Sequence, residues 1–168
     1  MHRNAVAVTE AAGRLGLDIS IREFPEGTRT AGDAAAAIGV EVGQIVKSLV
    51  FAIGDPTDRS ETGRVVVALV SGSNQLDEAK LARAAGASGS WRVDADAVRT
   101  ATGFPVGGVP PLGHATTLET FIDDDLCAYD EIWAAAGTPT HVFAVSPTAL
   151  IDACGAIRAD LATKKEKP

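Results

Sequence analysis

A single lysine interrupts an apolar segment of nine residues. The segment covers residues 45–53 and reads IVKSLVFAI, with Lys47 at its third position. Its composition predicts a buried β-strand, in which alternate side chains share a face, so that Lys47 would lie beside Leu49 and Phe51. An ammonium group there is costly unless it meets an anion or lines a polar cleft. Either the strand presents a positive charge to a ligand, or the long side chain returns its ammonium group to water.

A loop rich in glycine and proline could supply a second kind of chemistry. Residues 103–114 read GFPVGGVPPLGH, a composition that excludes a regular helix or strand. Gly107 and Gly108 can bring backbone N–H groups close to a ligand, while Pro110 and Pro111 stiffen the loop. Rigid, exposed amides can stabilise a carbonyl oxygen or an oxyanion. The alternative is a structural turn that binds nothing.

Two of the three histidines lie next to turn residues. His114 ends the glycine/proline loop, and His141 follows Gly137 at the start of a predicted strand. Either side chain could orient a polar substrate. A lone histidine is also typical of a surface position or of a hydrogen-bonded core position.

Several familiar catalytic motifs are absent from the sequence. The segment at 43–48 ends in Lys47-Ser48 like a P-loop, but Val46 stands where that loop requires glycine. No GxGxxG fingerprint, GxSxG nucleophile elbow or CxxC pair occurs. The acidic residues 123–125 favour a solvated turn over a cation site, because no further ligands follow at the required spacing.

The size and charge of the chain limit its class. Its 168 residues fit one domain, expected at 1–168, with a core at about 5–155 and a C-terminal tail at 156–168. A net charge of −7 argues against a broad basic surface of the kind that binds DNA. Two cysteines form no disulfide framework, and the sequence has neither a secretory pattern nor an apolar run of membrane-spanning length. We therefore expect a cytoplasmic protein without membrane or DNA partners.

Periodicity and turn residues predict an α+β domain, with a mixed, mostly antiparallel sheet that curves like a barrel around a pocket and is flanked by helices. Helices are expected at 6–15, 31–38, 76–85, 94–99 and 147–154. Strands are expected at 19–24, 45–53, 65–70, 118–122 and 140–145, the second and third forming a hairpin around a polar loop at 55–63. Thr30 and Asn74 are candidate N-caps. Residues 131–136 are ambiguous, because their alanines favour a helix but the segment is short and lies between turn signals.

The order of these parts resembles one protein family. The residues that carry the resemblance are, in chain order, Thr30-Ala31, QIVKSLVF at 44–51, GGVPPLG at 107–113, FID at 121–123 and GTPTH at 137–141. No single motif is decisive, but their shared order and spacing are similar to the YbaK/EbsC family. Its members are free-standing relatives of the editing domain inserted in bacterial prolyl-tRNA synthetase. The resemblance covers roughly residues 5–155.

The resemblance implies a trans-editing aminoacyl-tRNA deacylase, which hydrolyses the ester between a wrong amino acid and the terminal adenosine of tRNA. Lys47 would hold the tRNA end through a phosphate or position the aminoacyl group. The backbone of the loop at 107–111, including Gly107 and Gly108, would hold the ester carbonyl. The positions expected to bind substrate are Thr30, Ser48, Pro111, Gly137 and His141. Among these, Gly137 would line the amino-acid pocket, Ser48 would help to shape it, and His141 stands where some relatives have a functional histidine.

The family uses no catalytic metal and no cofactor, and its proposed chemistry aligns water with a ribose hydroxyl of the substrate. An activated ester needs alignment and oxyanion stabilisation more than a strong side-chain nucleophile. The implied partner is the aminoacyl-tRNA end, delivered to this acidic chain by an aminoacyl-tRNA synthetase or an elongation factor. Two alternatives stay open: a non-catalytic module that binds aminoacyl-tRNA ends or small anions, and a hydrolase of small esters.

Overall fold

The computed structural model describes residues 2–27, 30–57 and 64–163. Part of the predicted polar loop at 55–63 and the last five residues lie outside these ranges. Within them, no helix is long and apolar enough to cross a bilayer.

The described residues form five α-helices. They are α1 (Arg3–Arg14), α2 (Ala31–Ile38), α3 (Glu78–Ala85), α4 (Ala95–Thr102) and α5 (Pro147–Cys154). Thr30 caps α2 by accepting a hydrogen bond from the Asp33 N–H, as the sequence predicts. The prediction of Asn74 as the cap of α3 is wrong, because Asp77 accepts from the first N–H groups of that helix. The side chain of Asn74 is therefore available for another role.

The described residues also form eight strands in two sheets. The strands are β1 (Ile21–Glu23), β2 (Val46–Gly54), β3 (Arg64–Ser71), β4 (Gly89–Arg92), β5 (Glu119–Asp123), β6 (Ile132–Ala135), β7 (His141–Val145) and β8 (Ile157–Ala159). The larger sheet has the order β4-β2-β3-β5-β8, and the smaller has the order β1-β7-β6. The predicted hairpin is confirmed as the antiparallel β2/β3 pair, whereas β3/β5 and β5/β8 are parallel. The ambiguous segment at 131–136 contains β6, which pairs with β7.

The architecture is a mixed α+β fold, as expected. An isolated bridge between Ile45 and Trp133 connects the two sheets, but the pairings among the described residues do not close them into a barrel. The barrel-like curvature thus stays a prediction. In the segment expected as a tail, β8 adds an edge strand and Leu161 is fully buried, so these residues contribute to packing.

The larger sheet carries an apolar core on each face. Val50, Val67 and Ile122 pack on the face that meets α1, α4, α5 and the smaller sheet. Phe51, Val66 and Val70 lie among the residues of the other face, which packs against α3 and Leu161. Lys47 is the register partner of Val70 and therefore belongs to this second face, together with Leu49 and Phe51. The alternation read from the sequence is confirmed.

Candidate active site

A cavity of about 660 Å³ opens beside the first half of β2. Its lining comes from α2, residues 45–51, Gly72, the end of β4, α4, the glycine/proline loop, and β6 with β7. Most of the lining side chains are apolar, among them Leu49, Val98 and Val142. Such a mostly apolar pocket with a few polar groups is typical of a small-molecule site.

The cavity exists because one edge of β2 is only partly covered. β3 pairs with β2 along residues 46–53, but β4 pairs only with residues 51–54 on the other edge. The Ile45–Trp133 bridge closes the near end of that edge. Between these two contacts, no strand in the described ranges pairs with this edge of residues 46–50, and the cavity occupies the gap.

Backbone polar groups of β2 point into this gap. The Ile45 carbonyl accepts a hydrogen bond from the Gly72 N–H at 2.7 Å, on the β3 side of the strand. Backbone groups alternate between the two edges along a strand, so those of Ser48 and Val50 point to the opposite edge, toward the cavity. An open strand edge can hydrogen-bond a ligand in the way that it would bond another strand.

Lys47 is half-buried at the wall of the cavity. Its ammonium group donates to the Asn74 carbonyl oxygen. The Asn74 side-chain amide in turn donates to Asp123 at 2.8 Å and to Asp125 at 2.7 Å. Burial lowers the pKa of the Lys47 ammonium; the negative charge of Asp123 opposes this effect, and the positive charge of Arg92 adds to it. The lysine is therefore fixed by a chain of hydrogen bonds and is not extended into bulk solvent.

The glycine/proline loop reaches the same cavity through Gly107. A turn is closed by the Gly108 N–H donating to the Pro105 carbonyl at 3.0 Å. Gly107 is the third residue of this turn, and its φ of +88° is the conformation that favours glycine there. Gly107 lines the cavity, and no acceptor for its N–H occurs among the described residues. Lys47 and Gly107, distant in sequence, thus share one cavity.

Gly108 does not line the cavity and instead packs the loop against residues 137–138. Its carbonyl accepts from the Gly137 N–H at 2.9 Å, and a Cβ added to Gly108 would lie 2.8 Å from the Thr138 Cα. Gly137 has φ +95° and packs against α1, where the Asn4 side-chain amide donates to its carbonyl at 2.9 Å. The two glycines allow a close approach of two backbone segments, and this contact sets the position of Gly107.

Thr30 and Ser48 both line the cavity, as the predicted site requires. Thr30 uses its hydroxyl to cap α2. The Ser48 hydroxyl and the Trp133 indole nitrogen are buried, and neither has a hydrogen-bond partner within the described part of the chain. Both residues belong to the cavity wall, so two uncompensated polar groups lie next to the site.

His141 and Pro111 lie outside the cavity lining. His141 is buried, and its Nδ1 lies 2.5 Å from the Thr138 hydroxyl, while its Nε2 lies 3.3 Å from the Glu23 carboxylate. The next residue, Val142, lines the cavity; because side chains alternate along β7, His141 faces the other way. Pro111 lines a separate depression of about 380 Å³ behind the loop.

The other loop histidine, His114, lies in that same depression and contacts the Pro110 carbonyl at 2.7 Å. Burial lowers the pKa of His114. His114 therefore fixes the loop from its rear side.

The sequence assigns other roles to two residues near the site and gives no signal for a third. Asn74 was expected as a helix cap, and Asp123, expected in a solvated turn, is 1% exposed. Arg92 lines the cavity from the end of β4, a strand too short to be indicated by its pattern. The described residues contain no group of three or more His, Cys, Asp or Glu side chains placed to hold a metal ion.

Comparisons with known sequences agree with one another. A model of the aminoacyl-tRNA editing domain family matches residues 25–153. An Enterococcus faecalis protein described as "Putative Cys-tRNA(Pro)/Cys-tRNA(Cys) deacylase EbsC" is 29% identical over 136 residues, covering 81% of this chain and 79% of that protein. A proline–tRNA ligase of Nitratidesulfovibrio vulgaris is 34% identical over 133 residues, which cover 77% of this chain and 21% of the ligase.

The same similarity is found among solved structures. A crystal structure described as "a putative trans-editing enzyme for prolyl tRNA synthetase" matches with a TM-score of 0.88 and 42% identity, covering 98% of this chain and 99% of that one. A structure described as "hypothetical protein APE2540" matches with a TM-score of 0.82 and 28% identity, covering 94% and 99% of the two chains.

Proposed function

Because this chain belongs to the aminoacyl-tRNA editing domain family, we propose that it is a trans-editing deacylase that hydrolyses the ester of a mischarged tRNA. One observation carries the proposal. Lys47 and the open edge of β2 line a single cavity together with Gly107, which is distant from them in sequence. That combination supplies a cation, a backbone donor with no acceptor among the described residues, and main-chain polar groups, which together suit the ester carbonyl and the amino group of an aminoacyl ester.

The proposed reaction is a simple hydrolysis. Water attacks the ester carbonyl carbon, the bond between that carbon and the ribose oxygen breaks, and the ribose oxygen takes a proton. The Gly107 N–H stabilises the negative charge that develops on the carbonyl oxygen, and the neighbouring ribose hydroxyl aligns the water. These steps need neither a side-chain nucleophile nor a cofactor. The products are a free amino acid and an uncharged tRNA.

The other predicted residues divide into two groups. Thr30 and Ser48 form part of the pocket wall. Gly108, Gly137 and His141 act on the position of Gly107 through the contact between the two backbone segments, without touching substrate. Pro111 stiffens the same loop from its rear side.

Delivery of the substrate is a separate part of the proposal. The net charge of −7 gives weak long-range attraction for tRNA, so we propose that a synthetase or an elongation factor presents the aminoacyl end in the cytoplasm. The similar proline–tRNA ligases carry the matching segment within a longer chain.

The direct test is a panel of tRNAs mischarged with different amino acids, starting with tRNA(Pro) that carries cysteine. Wild-type protein is expected to release at least one amino acid much faster than a Lys47→Met variant does. Binding without release across the whole panel would instead indicate a non-catalytic module. Release from small aminoacyl esters but not from tRNA would indicate a small-ester hydrolase.

A further inference from the structure

Arg92 is a second cation at the cavity, and the proposed reaction gives it no role. It is the last residue of β4, is exposed, and lines the cavity. Its guanidinium carbon lies 5.8 Å from the centre of the Phe51 ring, its register partner on β2. This cation–π contact holds the side chain against the sheet.

Arg92 and Lys47 face the same side of the larger sheet. Paired residues on neighbouring strands share a face, and Phe51 and Lys47 share a face by alternation. The two cations are close enough for Arg92 to oppose the charge of Lys47. They differ in what surrounds them: Lys47 already donates to the Asn74 carbonyl and is near Asp123.

Arg92 makes no ion pair within the described ranges. Elsewhere in those ranges Arg64 pairs with Glu119, Lys80 with Asp160 and Arg158 with Asp124. In a chain of net charge −7, an exposed guanidinium at the rim of an apolar cavity, with no carboxylate partner in the described part of the chain, is available to an anion. A guanidinium binds phosphate oxygens through two parallel hydrogen bonds.

We infer that Arg92 binds the phosphodiester on the 5′ side of the terminal adenosine of the substrate. This inference rests on the proposed function, because an aminoacyl-tRNA end carries its nearest negative charge at that phosphate. It also divides the work between the two cations. Arg92 binds the phosphate, and Lys47, which is half-buried and held by the Asn74 carbonyl, positions the aminoacyl group.

The test compares two small substrates that differ by phosphate. One is an amino acid esterified to the 3′-hydroxyl of adenosine, and the other is the same ester on the trinucleotide CCA. Arg92→Gln is expected to lower kcat/KM about tenfold or more for the trinucleotide, mainly through KM, and to leave the adenosine ester unchanged. Arg92→Lys should restore part of the loss. Arg83→Gln, an exposed arginine of α3 outside the cavity lining, is the matched control and should change neither substrate.

Two further measurements separate the possible failures. The salt dependence of kcat/KM on the trinucleotide should become shallower by about 0.7 in the logarithmic slope, as expected for one lost contact to single-stranded phosphate. Equal effects of Arg92→Gln on both substrates, or none on either, would overturn the inference while leaving the deacylase intact. If wild-type protein cleaves neither substrate, binding of uncharged CCA measured by calorimetry still decides: loss of binding in Arg92→Gln supports the phosphate contact, and unchanged binding refutes it.

Discussion

Two strands of this molecule each set one titratable residue into an apolar sequence, and they use it in opposite ways. On β2, Lys47 reaches the wall of a cavity, where it donates to one backbone carbonyl. On β7, His141 is 5% exposed and has a neighbour at each ring nitrogen, Thr138 on one side and Glu23 on the other. The lysine is left beside open space, whereas the histidine is enclosed by protein.

The difference explains why we propose a functional role for Lys47 and a structural one for His141. Both residues satisfy the rule that a buried polar group needs partners. His141 finds its partners within its own sheet and the adjoining turn, which it thereby stabilises. Lys47 lies where one edge of its strand is uncovered, so a ligand in the cavity can contact it. The neighbouring strand edge therefore decides the role, and that edge is a property of the tertiary structure.

The sharpest test of this comparison is Lys47→Met, which should reduce deacylation about 100-fold or more and leave the fold intact. Burial lowers the pKa of Lys47 in the folded state, so the unfolded chain binds this proton more tightly. The charge is thus a cost to stability at neutral pH that fades as pH rises toward the ordinary lysine value. The melting temperature of Lys47→Met at pH 7 should equal or exceed that of the wild type, and the gap should narrow at higher pH. Full activity in this variant would remove the central assignment.

The next largest effect is expected at the contact between the glycine/proline loop and the turn that precedes β7. A Cβ at Gly108 would lie 2.8 Å from the Thr138 Cα, so Gly108→Ala should displace the loop and lower the free energy of unfolding by about 1–3 kcal/mol, with a loss of activity. Gly107→Ala is the matched variant, because its Cβ would find its nearest neighbour at 4.0 Å. Its cost comes from φ +88° alone and should be about 1–2 kcal/mol. Urea unfolding of both variants, measured together with deacylation, separates the effect of steric overlap from that of backbone strain. If Gly108→Ala kept the stability and activity of the wild type, the close packing of Gly108 against Thr138 would be contradicted.

His141→Ala should give the reverse of the lysine result. Loss of the contacts to Thr138 and Glu23 is expected to lower the free energy of unfolding by about 2 kcal/mol. Activity per folded molecule should stay within a few-fold of wild type. Glu10→Ala, at an exposed position of α1, is the control. A stable His141→Ala protein with greatly reduced turnover would place this histidine at the substrate after all.

The smallest expected effect concerns the charge on Lys47. Arg92 opposes the ammonium form, so Arg92→Gln should raise the pKa of Lys47. NMR titration of ¹³C-labelled lysine side chains would measure the change. Lys80, which pairs with Asp160, serves as an internal reference. A decrease in the Lys47 pKa would show that the two cations do not face the same space.

Much of this architecture follows from the sequence. Period-two alternation and turn residues predict the β2/β3 hairpin, and the cap and glycine signals predict α2 and α5. The sequence also indicates the two halves of the site, Lys47 and the loop that contains Gly107. These features depend on residues that are close in sequence, so the residue pattern is enough to predict them.

The remainder depends on which segments become neighbours. Short strands such as β4 and β8 are stabilised by pairing, so their own residues give little signal. The acidic residue Asp123 reads as a solvated turn until Asn74, 49 residues away in sequence, is placed beside it. The same holds for Gly108, whose role is set by its contact with Gly137.

The uncovered edge of β2 has an evolutionary consequence. The polar groups that it directs into the cavity belong to the main chain, so replacing Leu49, Trp133 or another wall residue leaves them in position. Under the proposed function, paralogues can exchange the side chains that line the cavity and keep the main-chain groups that bond the aminoacyl ester. In that case the amino-acid specificity can change during evolution while the main-chain contacts to the substrate stay the same.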